Sequence, residues 1–147
     1  SSPSRGLGDV YKRQIMDKLK LLILALASIL FSCSKTSGTG GRSTIKGIIM
    51  VKNINILGTI VDTYQAQDED VFIVYGNQNN TYDDDISTSH DGSFEFNYLN
   101  PGDYEIFLYS ECINCAQGQD SLILKPVTIE NSNEIVEIDT IYIANFI

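Results

Sequence analysis

Cys112-Ile113-Asn114-Cys115 is the segment whose residue types and spacing most directly suggest chemistry. Two thiols three positions apart can close a disulfide, act as a redox pair or give two ligands to zinc. Four residues of a β-turn bring the outer Cα atoms within about 7 Å, near the span that a disulfide bridges. A redox pair is expected at a helix N-terminus that lowers the thiolate pKa, and no helical periodicity surrounds this segment. Zinc needs further Cys or His ligands, and the chain has one histidine, His90, and one other cysteine, Cys33.

Carboxylates form the second candidate. Asp68-Glu69-Asp70 and Asp83-Asp84-Asp85 are acidic runs, and Asp91 stands close by in sequence. Calcium takes six to eight oxygen ligands from such loops, so Asp83, Asp84, Asp85 and Asp91 are candidate calcium ligands. Neither run has the twelve-residue spacing of an EF-hand loop, and aspartates also collect at strand ends because they form turns. Ser89, His90 and Asp91 are adjacent in sequence, whereas the members of a catalytic triad come from separate elements and meet in space. The expectation is a protein that is not an enzyme. Asn77-Gln78-Asn79-Asn80-Thr81 reads as a polar connection.

From Cys33 onward five Lys or Arg face seventeen Asp or Glu, a net charge of −12. Nucleic acid and anionic headgroups are bound mainly by Lys and Arg, so neither is an expected partner. The charge instead keeps a solvated surface soluble.

Met16 opens an address. Lys18 and Lys20 precede the apolar run Leu21 to Phe31, which Ser32 and Cys33 close. A positive start, a short apolar stretch and a small residue at the cut describe a secretory signal peptide, and a run this short does not span a bilayer, which takes about 20 residues. Leu30-Phe31-Ser32-Cys33 resembles the bacterial lipobox. That resemblance implies cleavage before Cys33 and a diacylglyceryl lipid on its sulfur, an anchor of two acyl chains. Residues 1–15 are set aside as an adapter-like extension, residues 16–32 as the lipoprotein signal peptide, and residues 33–43, rich in Ser, Thr and Gly, as a flexible tether. Ser34 resembles the outer-membrane sorting pattern, on the periplasmic side or the cell surface. With Cys33 acylated, Cys112 and Cys115 are the remaining pair, and in an oxidising compartment a pair is a disulfide.

Residues 44–147 read as strands. Ile45, Gly47, Ile49 and Val51 alternate with polar or outward positions in a first strand expected to continue, past a kink at Asn53 to Gly58, to Tyr64. Val71 to Tyr75 is apolar on both faces, as in a central strand. Ile86 to Thr88 and Phe94 to Tyr98 flank Asp91-Gly92, a hairpin signal. Pro101-Gly102 suits a type II turn leading to Tyr104 to Tyr109. Leu122 to Glu130 and Ile135 to Ile143 complete about seven strands, the count of an antiparallel Greek-key β-sandwich. Its expected core holds Ile73, Phe94, Phe96, Ile106, Leu108, Val127 and Ile138. Tyrosines mostly at strand positions are read as sheet and core residues.

The segment from Asp91 to Tyr104, Asp-Gly-Ser-Phe-Glu-Phe-Asn-Tyr-Leu-Asn-Pro-Gly-Asp-Tyr, resembles the signature of carboxypeptidase regulatory-like domains, which are transthyretin-like (prealbumin-like). The resemblance covers about fourteen residues closely and implies a β-sandwich that is an accessory to peptidases, receptors and adhesins and is not catalytic itself. Because one fold hosts many functions, it speaks to architecture more than to activity. The function expected is a membrane-anchored lipoprotein displaying a non-catalytic binding or structural module to a protein or envelope partner, with a calcium-dependent adhesin or accessory module as the alternative and a hydrolytic enzyme, resting on the acidic cluster near His90, ranked last.

Overall fold

The computed structural model describes residues 4–29, 36–76 and 81–147. The chain divides into two units, residues 1–34 and 35–147. In the first, a helix α1 runs over Ser4–Ile29, straight through Met16. Among the described residues no helix is long and apolar enough to cross a membrane.

The second unit is an all-β sandwich of nine strands. They are β1 (Thr39–Ile54), β2 (Ile60–Gln65), β3 (Asp70–Tyr75), β4 (Asp84–Ser87), β5 (Ser93–Leu99), β6 (Gly102–Ser110), β7 (Ser121–Ile129), β8 (Ile135–Glu137) and β9 (Ile141–Phe146). One sheet is built around β1, which pairs with β2, β5, β8 and β9; the other has the order β4-β3-β6-β7. Along one edge of β1 the partner changes at Ile49, whose N–H donates to the Gly92 carbonyl (2.8 Å) and whose carbonyl accepts from the Ala66 N–H (3.0 Å). Along the other edge β8 and then β9 run parallel to β1.

Period-two alternation puts the odd residues of β1 and the even residues of β6 inside. Ile45, Ile49, Ile73, Ile106 and Leu108 are essentially inaccessible, and Phe94, Phe96 and Val127 are buried beside them, while Ile138 is half-buried at the core's margin. Gly47 is glycine because of this core. A Cβ there would lie 2.7 Å from Ile138 Cγ1 and 2.8 Å from Phe94 Cε1.

Several connections differ from the sequence reading. Residues 55–59 are a reversal, with β2 folded back antiparallel on β1, because Asn55 Oδ1 accepts from the N–H groups of Leu57 and Thr59. Asp91-Gly92 and Pro101-Gly102 do not join hairpins. β5 lies in the β1 sheet while β4 and β6 lie in the other, so both turns are corners that carry the chain between layers. The positive φ near the second corner falls on Tyr98 (60°), not on Gly102. That twist breaks the alternation, leaving Tyr98 exposed and giving its core position to Leu99. The last strand is interrupted, and its two pieces are parallel to β1, so the sheets are not wholly antiparallel.

The sandwich also starts before Thr44. Thr39–Ser43 belong to β1, and the segment before them is pinned. The Gly38 N–H donates to the Tyr104 hydroxyl (2.9 Å), which donates to the Asn100 carbonyl (2.6 Å), and Ser37 Oγ donates to the Asp103 carbonyl (2.6 Å). Ser43 is fully buried, its hydroxyl donating to the Asn131 carbonyl and accepting from the Glu134 N–H. The Ser/Gly composition suggests a tether, but these backbone partners outweigh it.

Candidate binding surface

Strands β3 and β6 lie side by side in the four-stranded sheet, and their outward residues Phe72, Phe107 and Tyr109 form an aromatic row, with Val74 and Glu105 next to it. Phe72 faces Phe107 across the pair, and the rings stack with centroids 5.0 Å apart and planes 15° apart. Tyr109 stands edge-on to Phe107 at 6.0 Å, and Tyr82 closes on Phe72 from elsewhere at 4.8 Å. On β7, Leu124 faces Phe107 and Leu122 faces Tyr109. Tyr82, Tyr109, Leu122 and Leu124 are each about half exposed (49–52%). A two-layer sandwich has no third layer to bury such a row, so an aromatic side chain at an outward position stays at the surface.

Carboxylates border the row. Asp85 faces Phe72 from β4. Asp83 Oδ2 accepts from the Tyr75 N–H (2.6 Å), and Asp84 Oδ1 accepts from the Asp85 N–H (3.0 Å). Burial, and then the charges of Asp84 and Asp83, push the Tyr75 hydroxyl above the usual phenol range. Tyr104 is likewise raised by burial, against the hydrogen bonds that favour its ionised form.

Asp91 is elsewhere, in the corner beyond the far end of β4. Its Oδ1 accepts from the Ser93 hydroxyl (2.6 Å) and N–H (3.1 Å), and these bonds, the hydroxyl first, hold its carboxyl below the usual range. Asp83, Asp84 and Asp91 therefore give oxygens to their own strand ends and turn. Among the described residues no three His, Cys, Asp or Glu side chains are grouped so as to hold a metal ion. His90 is exposed in the same corner.

Cys112 and Cys115 are joined, with Cα atoms 5.5 Å apart, in the connection from β6 to β7. The bridge lies at one end of the sandwich, lining an open cleft of about 430 Å³ with Ile56, Leu57, Ile113 and Phe146. A second cleft, of about 280 Å³, lies between β4 and the β1–β5 pair, lined by Gly47, Ile86 and Phe94 among others. Neither is lined by Asp83, Asp84, Asp85 or His90. Cys33 and residues 77–80 lie outside the described residues.

The aromatic face was the feature that sequence reasoning did not isolate. Its signal was present in the apolar pattern on both sides of Val71 to Tyr75 and in Phe107 and Tyr109 alternating with Ile106 and Leu108.

No protein-family model matches the chain, and no curated protein does. Among solved structures, a candidate carbohydrate-binding protein of Pseudomonas aeruginosa is similar at 15% identity, covering 74% of this chain and 92% of its own, with a TM-score of 0.46.

Proposed function

We propose that the protein is a non-catalytic binding module of the carboxypeptidase regulatory-like kind, held on the outer membrane by a diacylated Cys33, and that it meets its ligand on the face carrying Phe72, Tyr82, Phe107 and Tyr109. The observation that carries this reading is the stacked aromatic row at the surface of a sheet whose interior is already filled. Contiguous exposed apolar area marks interaction sites, and rigid aromatic rings supply contact area at small entropic cost. The carboxylates at its rim favour a ligand with hydroxyl or cationic groups.

The chain has no Trp, so its intrinsic fluorescence comes from tyrosine, and Tyr82 and Tyr109 report from the face itself. Full-length protein in detergent is titrated with peptidoglycan fragments, envelope polysaccharides and cationic peptides, each with calcium and with a chelator. One ligand class is expected to change the emission, and Tyr109→Ala to weaken its binding by about tenfold or more, as for an aromatic anchor. Unaltered affinity in a folded Tyr109→Ala, Tyr82→Ala variant removes this face from the account. In cells, Cys33→Ala is expected to release the protein from membranes washed with high salt, and retention equal to the parent's would mean that lipid is not the anchor.

A further inference from the structure

The sheet edges of this domain are not treated alike. An open edge presents unpaired N–H and C=O groups to any extended chain, and proteins block such edges. On β2, Ala66 turns its N–H toward β1, so by alternation Thr63 turns outward, and the Asp62 carboxylate accepts its N–H at 2.8 Å. On β4, Thr88 donates toward β3, so Asp85 turns outward, and Asp84 accepts its N–H. On β5, Gly92 turns toward β1, so Ser93 turns outward, and Asp91 accepts its N–H. On β9 the outward N–H groups of Ala144 and Phe146 donate to Ser110 Oγ (2.8 Å) and Glu111 Oε2 (2.7 Å).

Strand β7 differs. It is the terminal strand of its sheet and nine residues long. The Gly76 N–H donates to the Asp103 carbonyl, so Asp103, Glu105 and Phe107 face β3, and Tyr104, Ile106 and Leu108 face β7. Their partners Val127, Lys125 and Ile123 are then the hydrogen-bonded residues, and Leu122, Leu124, Pro126 and Thr128 turn their backbone outward. Among the described residues no acceptor takes the N–H of Leu122 or Leu124. Pro126, with no N–H, ends the usable edge.

We infer that the Ser121–Lys125 part of β7 pairs antiparallel with the same segment of a second copy of this chain. Two observations select that occupant. The segment Leu122-Ile123-Leu124 reads the same in both directions, so a two-fold axis at Ile123 sets Leu122 against Leu124 of the second copy, the self-complementary contact of an isologous dimer. Charge is the other. β2, β4 and β5 carry Asp62, Asp84, Asp85 and Glu95, whereas β7 has no acidic residue and carries Lys125. In a domain of net charge −12, this open edge lets two copies meet without opposing carboxylates.

Four backbone hydrogen bonds form, two for each Leu122–Leu124 pair. Because both leucines also lie beside Phe107 and Tyr109, the aromatic faces of the two copies become one continuous surface across eight strands. The dimer does not depend on which ligand that surface takes.

The test uses the full chain in cells. In the proposed register the Ile123 residues form a non-hydrogen-bonded pair with Cα atoms about 4.5 Å apart, whereas the Thr128 residues are about 30 Å apart at roughly 3.3 Å per residue. Under mild oxidation Ile123→Cys is expected to give a band of twice the protomer mass on a non-reducing gel, absent from the parent and from Thr128→Cys. A dimer band of equal strength from Thr128→Cys, or none from Ile123→Cys, overturns the proposal. A cross-link from Ile123→Cys alone to a product of another mass overturns the second copy in favour of a different chain. Should Ile123→Cys fail to fold, sedimentation equilibrium of the parent and of Leu124→Lys in detergent decides. The parent is expected as a dimer and Leu124→Lys, at a half-exposed position, with a dissociation constant raised at least about tenfold. A monomeric parent, or a variant as dimeric as the parent, overturns it.

Discussion

The two outer faces of the sandwich rest on the same core and are finished in different ways. On the β1 sheet three pairs of outward residues are joined to one another, beside the exposed Ile48 and Ile135. Lys46 Nζ lies 3.7 Å from Glu137 Oε2, Lys52 sits 3.9 Å over the Tyr142 ring, and Thr44 Oγ1 donates to Asn97 Oδ1 at 2.7 Å. On the four-stranded sheet the corresponding positions hold Phe72, Phe107, Tyr109, Leu122 and Leu124, with Asp85 across from Phe72 and Glu105, across from Val74, as the next outward residue of β6. Either covering satisfies the β-propensity of strand positions. The polar one satisfies its groups with one another and with water, whereas the aromatic one leaves apolar area that a partner can remove from water. A lesion in the shared core should therefore injure both faces, while a lesion on one face should leave the other intact.

The largest effect is expected at Gly47. Its missing Cβ is the space taken by the Phe94 ring and Ile138, and both are needed where β1 and β5 meet. Gly47→Val forces the Phe94 ring and Ile138 aside, at a cost of about 2–3 kcal/mol, a fall in Tm of roughly 10 °C. Hydrogen exchange should rise on both sheets together. Faster exchange confined to the β1 sheet would mean that the layers do not share one cooperative core.

How much of this was legible follows from which contacts are local. Period-two alternation finds Ile73, Phe94, Phe96, Ile106, Leu108 and Val127, all buried, because the alternation is a property of each strand alone. The Cys112–Cys115 bridge was legible for the same reason, since its geometry is that of a single turn. What Asp91-Gly92 and Pro101-Gly102 encode is a change of direction, and a hairpin and a corner between sheets share that signal. The choice is made far away in sequence, where β1 offers both edges along its sixteen residues and takes β5 as a partner. Parallel pairing of β8 and β9 is likewise set by distant contacts. The aromatic face was hidden by the opposite ambiguity: a strand apolar on both sides looks like the middle of three layers, and only the count of layers shows that one side must remain outside.

A smaller effect, and a sharper one, is expected from the disulfide. It closes the connection between β6 and β7 of the sheet that carries the aromatic face, and the cleft it lines reaches Ile56, Leu57 and Phe146 but not the Lys46–Glu137 pair. Closing so short a loop contributes about 2 kcal/mol at most in the chain-entropy model. The Cys112→Ser, Cys115→Ser variant should thus stay folded, lose about 1–2 kcal/mol and show faster exchange at Leu108 and Ile123, with Lys46 and Phe94 unchanged. Thiol labelling of protein taken directly from cells should find Cys112 and Cys115 blocked. Complete unfolding of the variant would show that the loop organises the fold.

The smallest effect is expected where the polar face looks most deliberately built. The Lys46 and Glu137 side chains are 42% and 68% exposed, so water and salt screen the pair, and fixing two long side chains costs entropy. Exposed pairs of this kind contribute about 0.2–1 kcal/mol. A double-mutant cycle of Lys46→Ala and Glu137→Ala should give a coupling of no more than about 0.5 kcal/mol, shrinking further in high salt as the Debye length falls to about 3 Å at 1 M. Ligand binding on the aromatic face should be unchanged in both single variants, because the core separates them from it. A coupling above about 1 kcal/mol would mean that the pair locks the parallel β8 against β1, at Ile45–Val136 and Lys46–Glu137, and that the charged face contributes to the topology as well as covering it.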